Sequence, residues 1–195
     1  MEDVISGRLF DVECAHCGLK TRVNYPILVN DMEHDVMIRY TFPEGVEEAK
    51  QEFRSLREMY WGRTRIVTDQ NSLREKLSIF RAGLDDRVVE FVKVLILAKS
   101  FPQLEGKEIR GVYYVPGDEA HLEILFDGST GQSPVSRKLY EEVENTSGPA
   151  FRPKTKNWWW TATGCAPFFL RAERPGLHRE TALRKPFAGR SLSIG

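Results

Sequence analysis

Cysteine is scarce in this chain: there are three in 195 residues, with Cys14 and Cys17 close together and Cys165 far from both. Three cannot all pair within one chain, and a disulfide scaffold is not needed at this length. The close pair, with two residues between, suits a metal better than a structural disulfide, and a reducing cytoplasm fits best. Long apolar runs are also missing. The most apolar stretch, Val88 to Ala98, is broken by Glu90 and Lys93 and falls well short of the ~20 residues a spanning helix needs. It reads as a buried core helix, and no membrane partner is expected. Residues 1–13 scatter Glu2, Asp3, Arg8, Asp11 and Glu13 among their apolar positions, a pattern unlike an export leader. No glycine-rich phosphate loop, internal repeat or low-complexity tract is present either, which leaves nucleotide hydrolases and solenoids without support.

What remains is the composition of a globular protein, with 41% hydrophobic and 29% charged residues, enough for a real core. The net charge of zero hides an asymmetry. Residues 1–150 carry 19 basic and 26 acidic side chains, and residues 151–195 carry 9 and 2. A difference of that size marks a separate tail, with nucleic acid or an acidic surface among its possible partners.

The period of the apolar residues supplies the elements. Leu9 to Val23 surrounds the two cysteines with Phe10, Val12 and Val23 and reads as two short strands joined at a knuckle, with Gly18 releasing the turn. Ile27-Leu28-Val29 and Val36 to Tyr40 read as strands on either side of the polar stretch Asn30 to Asp35. Val46, Ala49, Phe53, Leu56 and Tyr60 share one helix face between Glu44 and Trp61. Arg63 to Thr68 is a short strand. Asp69 or Ser72 then caps a helix carrying Leu73, Leu77, Phe80 and Leu84, with Ser72 and Glu75 at capping-box spacing. Gly83 ends it, and Asp85-Asp86 open the next helix, which runs to about Ser100. That helix is apolar nearly all round, with Arg87, Glu90 and Lys93 as its polar stripe.

Pro116-Gly117-Asp118-Glu119 joins Ile109–Val115 to Leu122–Phe126 as a hairpin, followed by a loop over Asp127 to Ser133. Arg137 to Glu144 forms a last short helix with Leu139, Tyr140 and Val143 inward. The expected fold is α+β: a zinc-ribbon-like knuckle, then a small mixed sheet packed with about three helices, and a C-terminal hairpin. The patterned domain spans residues 1–150. Beyond it, adjacent Trp158-Trp159-Trp160 and scattered Pro167, Pro175 and Pro186 follow no period. A basic, tryptophan-bearing stretch suits single-stranded nucleic acid, and the same composition is what out-of-frame translation of a GC-rich gene gives.

Asp11-Val12-Glu13-Cys14-Ala15-His16-Cys17-Gly18, Tyr25-Pro26-Ile27-Leu28-Val29-Asn30-Asp31, Arg65-Ile66-Val67-Thr68 and Phe80-Arg81-Ala82-Gly83-Leu84-Asp85-Asp86-Arg87 together resemble the bacterial and archaeal CpXC family, over roughly residues 1–150. Ala15 stands where the family has proline, which removes a rigid turn element and no ligand. The resemblance also implies an earlier Cys-Pro-x-Cys pair some tens of residues upstream, so an in-frame Cys-x-x-Cys is expected before Met1 in the gene. Sequencing the locus decides this, and an in-frame stop just before Met1 with no cysteine pair beyond it contradicts it.

A structural zinc takes four tetrahedral ligands, and Cys14 and Cys17 supply one edge. The candidates for the remainder are His16, His34 and Cys165; the alternatives are a metal-free knuckle and ligands from another chain or an upstream segment. A thioredoxin-like redox role needs a helix N-terminus to lower the thiol, and the strand-like flanks argue against it. Asn30, Asp31, Glu33, His34 and Asp35 form a second cluster, either a solvated turn or the ligand and acid/base set of a metal-dependent enzyme. Arg63 and Arg65, with Arg54 and Arg57, suggest a phosphate-binding patch, but the interleaved Glu52 and Glu58 point to a solvated face. His121 is expected at the surface, and His178 lies in the tail. With no catalytic constellation, the leading expectation is a non-enzymatic zinc-knuckle interaction domain with a protein partner. The metal-dependent enzyme comes second and nucleic-acid binding through the tail third.

Loss of periodicity after Ala150 predicts that residues 151–195 contribute little to the stability of the domain. Denaturant midpoints of the full chain and of a chain ending at Ala150 are expected to coincide. A strongly lowered midpoint places Trp158 to Trp160 in the core, since each buried large apolar side chain is worth roughly 1.5–3 kcal/mol.

Overall fold

The computed structural model describes residues 1–56, 59–104 and 106–151, and these form an α+β arrangement with three small sheets. A helical turn, α1 (Glu2–Ile5), leads into the knuckle hairpin of β1 (Asp11–Glu13) and β2 (Lys20–Arg22). The mixed sheet follows: β3 (Ile27–Asp31) pairs antiparallel with β4 (Val36–Tyr40), and β4 pairs parallel with β5 (Arg63–Val67). A parallel pair needs a long crossover, which the stretch containing α2 (Val46–Leu56) supplies. Then come α3 (Gln70–Arg81), α4 (Asp86–Leu104), an antiparallel meander of β6 (Ile109–Val115), β7 (His121–Phe126) and β8 (Ser129–Pro134), and α5 (Arg137–Phe151).

The central strand β4 is apolar on both faces because both faces are covered. Met37 packs with Ala49 and Phe53 of α2 and with Ile66. Val36, Ile38 and Tyr40 pack on the other side with Leu73, Leu77 and Phe80 of α3, together with Val4 and Phe10. α3 has two buried faces, since its Ile79 joins Val88, Val89, Val92 and Ile96 of α4, Leu122 and Ile124 of β7, and Tyr140 and Val143 of α5 in a separate core. It therefore lies between the two cores. Asp69 caps it, accepting the Ser72 N–H at 2.8 Å. Gly83, at φ +71°, ends it with Gly83 N–H donating to Phe80 O and Leu84 N–H to Ile79 O, the bond pattern of a Schellman turn. The expected Ser72–Glu75 capping box does not form, because Glu75 is turned inward.

The largest departure from expectation is what lies between α3 and α4. Six charged side chains, Arg65, Glu75, Lys76, Asp86, Glu90 and Lys93, are all buried. Arg65 grips Asp86 with both Nε and Nη2 at 2.6 Å, and Lys76 reaches Asp86 at 3.2 Å and Glu90 at 2.8 Å. Lys93 bonds Glu75 at 2.6 Å and Glu90 at 3.0 Å. Glu75 also accepts the Tyr114 backbone N–H at 2.5 Å. Three cations meet three carboxylates, so the network is neutral while tying together β5, α3, α4 and β6. Glu90 and Lys93, two members of the polar stripe, point at complementary charges on α3, while apolar Leu95 is exposed. Helical spacing gives the stripe but not the direction it faces.

The meander and α5 also differ from expectation. The loop assigned to Asp127–Ser133 is largely strand β8, an edge strand of Ser, Thr, Gly and Gln paired fully with β7. Asp127-Gly128 forms the two-residue connection, with Gly128 at φ +73°, a recognised hairpin signal. β8 lacks an apolar alternation because one edge is solvated. α5 continues through Gly148-Pro149 to Phe151, and α4 through Pro102; a proline near a helix end removes one backbone bond without ending it. No described helix is long and apolar enough to cross a membrane.

Burial pushes the Asp86 carboxyl up, but Lys76 and Arg65 override it and hold it well below the usual range. Glu90 is likewise lowered: burial raises it, and Lys76 and Lys93 more than compensate. Glu75 is raised, first by burial, against the pull of Lys93. A carboxylate lowered in the folded state contributes stability above its unfolded pKa, near 4, and that contribution is lost as pH falls; Glu75 carries the opposite sign. Asp86→Ala, which strands Arg65 and Lys76 without their shared partner, is expected to cost about 3–5 kcal/mol in denaturant unfolding. The same variant should also flatten the loss of stability below about pH 4. Glu141→Ala, which breaks only the exposed pair with Arg137, is expected to leave the midpoint where it was. Equal effects from the two would show that the network does not hold the helices.

Candidate metal centre

The knuckle is built by short-range bonds. Asp11 pairs with Arg22, Val12 with Thr21 and Glu13 with Lys20. Cys14 N–H then donates to Leu19 O at 2.9 Å, and Gly18 N–H to Cys14 O at 2.8 Å. Gly18 takes φ +69°, a left-handed conformation that glycine adopts at little cost. The base of the hairpin is anchored by fully buried Phe10, whose ring lies 5.4 Å from Tyr25 and 5.7 Å from Tyr40. Val23 N–H donates to Phe10 O, and the Tyr25 hydroxyl to Leu9 O. Beyond this anchor every residue of both strands is exposed, as are Cys14, His16 and Cys17.

The turn aims backbone donors at sulfur. The Cys14 thiol is held below its ordinary range by the Cys17 backbone N–H first, then by that of His16, then by the Cys17 side chain. Hydrogen bonds to the charged form favour it, and the thiolate is the metal-binding form. The donors belong to a hairpin turn and not to a helix N-terminus, so the redox context expected of a thioredoxin-like pair is not what surrounds Cys14. The residues present fit one edge of a tetrahedral thiolate site. Among the described residues, no histidine or carboxylate joins the two cysteines in a group of three ligands; His34 belongs to a different cluster, and Cys165 lies outside the described residues.

That second cluster sits at the β3–β4 turn. Ligand atoms of Asp31, Glu33 and His34 all fall within 4.8 Å of one another. Asp31 is buried and organises the turn, accepting the His34 N–H at 3.3 Å, with its other oxygen 2.9 Å from His34 Nδ1. This leaves His34 Nε2 as the ring's remaining ligand atom. Asn30 precedes Asp31 on β3, and Asp35, at φ +52°, closes the turn. Arg63 joins from β5, donating from Nη2 to His34 O at 2.8 Å, with its own N–H on Asp35 O. The neighbouring Tyr60 hydroxyl is pushed up to about 12, chiefly by burial and then by Asp35.

Arg65 does not reach this cluster, because it is committed to Asp86, and so takes no part in the phosphate-binding patch weighed against a solvated face for Arg63 and Arg65. Arg57 and Glu58 lie outside the described residues, as do Trp158 to Trp160 and His178. His121 is half-buried at the start of β7, its Nδ1 2.9 Å from Glu119 O.

Sequence reasoning missed a third feature, a cavity of about 280 Å³ between α3 and the meander, lined by Asn71, Arg74, Glu75, Ser78, Tyr113 and Glu123 among others. Asn71, Arg74, Glu75 and Ser78 are spaced as one helical stripe, which was the available signal. Tyr113 there is pushed up to about 12 by burial and by Asp69, whose carboxylate lies 3.4 Å from the hydroxyl.

The model of the CpXC protein family matches residues 1–93. No curated protein and no solved structure matches the chain. The matched segment is shorter than the resemblance over 1–150 and ends at Lys93. It contains the knuckle, the mixed sheet, α2, α3 and all six members of the buried network, while the meander and α5 lie beyond it. Over residues 1–93, just under half of its length, the chain is similar to the CpXC protein family.

Proposed function

We propose that this protein is a non-enzymatic interaction or accessory domain whose knuckle, held by zinc through Cys14 and Cys17, presents the β1–β2 hairpin to a partner protein. The observation that carries this reading is the pair of exposed cysteines at the tip of an anchored hairpin, with backbone donors of Cys17 and His16 turned toward the Cys14 sulfur. A two-stranded hairpin of three residues per strand is marginal by itself. Metal binding that bridges its turn adds stability in proportion to its affinity for the folded form.

A second reading, a metal-dependent enzyme at the β3–β4 turn, is supported by the three ligand atoms of Asp31, Glu33 and His34 within 4.8 Å. A carboxylate bonded to one ring nitrogen fixes the imidazole for metal binding at the other.

Elemental analysis of the purified chain separates the two. The knuckle reading expects less than one zinc per chain, because two thiolates alone do not complete a structural site, and expects its loss in Cys14→Ser with the far-ultraviolet circular dichroism unchanged. One zinc per chain retained in Cys14→Ser and lost in His34→Ala contradicts it and favours the second reading.

A further inference from the structure

We propose that the cavity between α3 and the meander binds a free α-amino acid with an apolar side chain, its carboxylate taken by Arg74 and its ammonium by Glu123 and Glu75. The charges lining the cavity call for a ligand that carries both signs. Arg74, Glu75 and Glu123 all line it, yet Arg74 and Glu123 do not pair with each other. Among the described residues Arg74 uses only its Nε, which donates to Ile5 O at 2.6 Å, so both Nη groups are left for a charge-assisted bond to a carboxylate. Glu123 stands half-buried on the central strand β7, opposite Tyr113 on β6 and Gln132 on β8, and no cross-strand cation neutralises it. A half-buried carboxylate without an ionic partner carries a desolvation cost that a ligand cation offsets.

Glu75 adds an acceptor that the fold has already fixed in place. The side chain is buried, and its Oε1 takes both Lys93 Nζ at 2.6 Å and the Tyr114 N–H at 2.5 Å. No described group donates to Oε2, so one oxygen of a rigidly held carboxylate remains for a ligand N–H. Because Lys93 already balances the charge of Glu75, the counter-charge of a bound ammonium is Glu123. Ile5, Val115 and Leu125, each half-buried, line the same cavity and give an apolar side chain a surface to cover. At about 280 Å³ the cavity lies at the small end of ligand sites, a size for an amino acid and not for a nucleotide cofactor.

Isothermal titration calorimetry of the full chain with L-leucine at neutral pH tests this. L-Leucine is expected to bind, while N-acetyl-L-leucine, which lacks the ammonium, and L-leucinamide, which lacks the carboxylate, are each expected to bind about tenfold or more weakly. Glu123→Gln keeps the shape and removes the charge. With its far-ultraviolet circular dichroism unchanged, it is expected to lose about tenfold or more in affinity for L-leucine and to leave that for N-acetyl-L-leucine where it was. Absence of L-leucine binding at millimolar concentration overturns the proposal. Equal affinities for the three compounds overturn it too, and need no variant to fold. L-Leucine binding that is unchanged in folded Glu123→Gln places the ligand elsewhere and overturns it as well. None of these outcomes bears on zinc at the knuckle.

Discussion

The fold depends on one constraint: six ionisable side chains have been taken out of water between α3 and α4, and all of them must be paired at once. Removing charges from water costs several kcal/mol each, and the cost is recovered only with close geometry on every member. The bonds from Arg65 to Asp86, from Lys76 to Asp86 and Glu90, and from Lys93 to Glu75 and Glu90 satisfy that condition. Because the six residues come from β5, α3 and α4, and Glu75 also holds the Tyr114 N–H of β6, the pairing fixes α3 against both sheets in one register. Apolar packing alone, with Leu73, Leu77 and Phe80 on one side and Ile79 on the other, tolerates small rotations of the helix. The bonds of Lys76 to Asp86 and Glu90, and of Glu75 to Lys93 and the Tyr114 N–H, do not.

That constraint was nearly invisible in the sequence. Arg65, Lys76 and Lys93 are charged residues at ordinary helical and strand positions, and charged residues are rarely buried unless paired; the partners are distant in sequence and are brought together only by tertiary structure. The apolar period did reveal β4, α2 and α3, and the Asp69 cap and Gly83 end were readable because their bonding is local. β8 was missed for the converse reason: its residues have no apolar alternation, and its pairing comes from the Asp127-Gly128 turn and the neighbouring strand. The knuckle was readable because its chemistry lies within eight residues, from the two cysteines to the glycine that turns the chain.

The two candidate metal-binding features differ in how far they are committed to the fold. At the β3–β4 turn Asp31 is buried and already bonded to His34 twice over, and Arg63 braces the same turn through backbone carbonyl and amide groups, so the cluster has a structural role whatever else it does. At the knuckle, the sulfurs make no bond that the rest of the fold uses. Phe10, Tyr25 and Tyr40 secure the base of the hairpin and leave its tip exposed.

X-ray absorption at the zinc edge of the metal-loaded full chain reads directly which atoms surround the zinc. Zinc held by the knuckle gives sulfur scattering at ~2.3 Å. A shell made only of nitrogen and oxygen at ~2.0–2.2 Å would place the metal away from Cys14 and Cys17 and contradict the account.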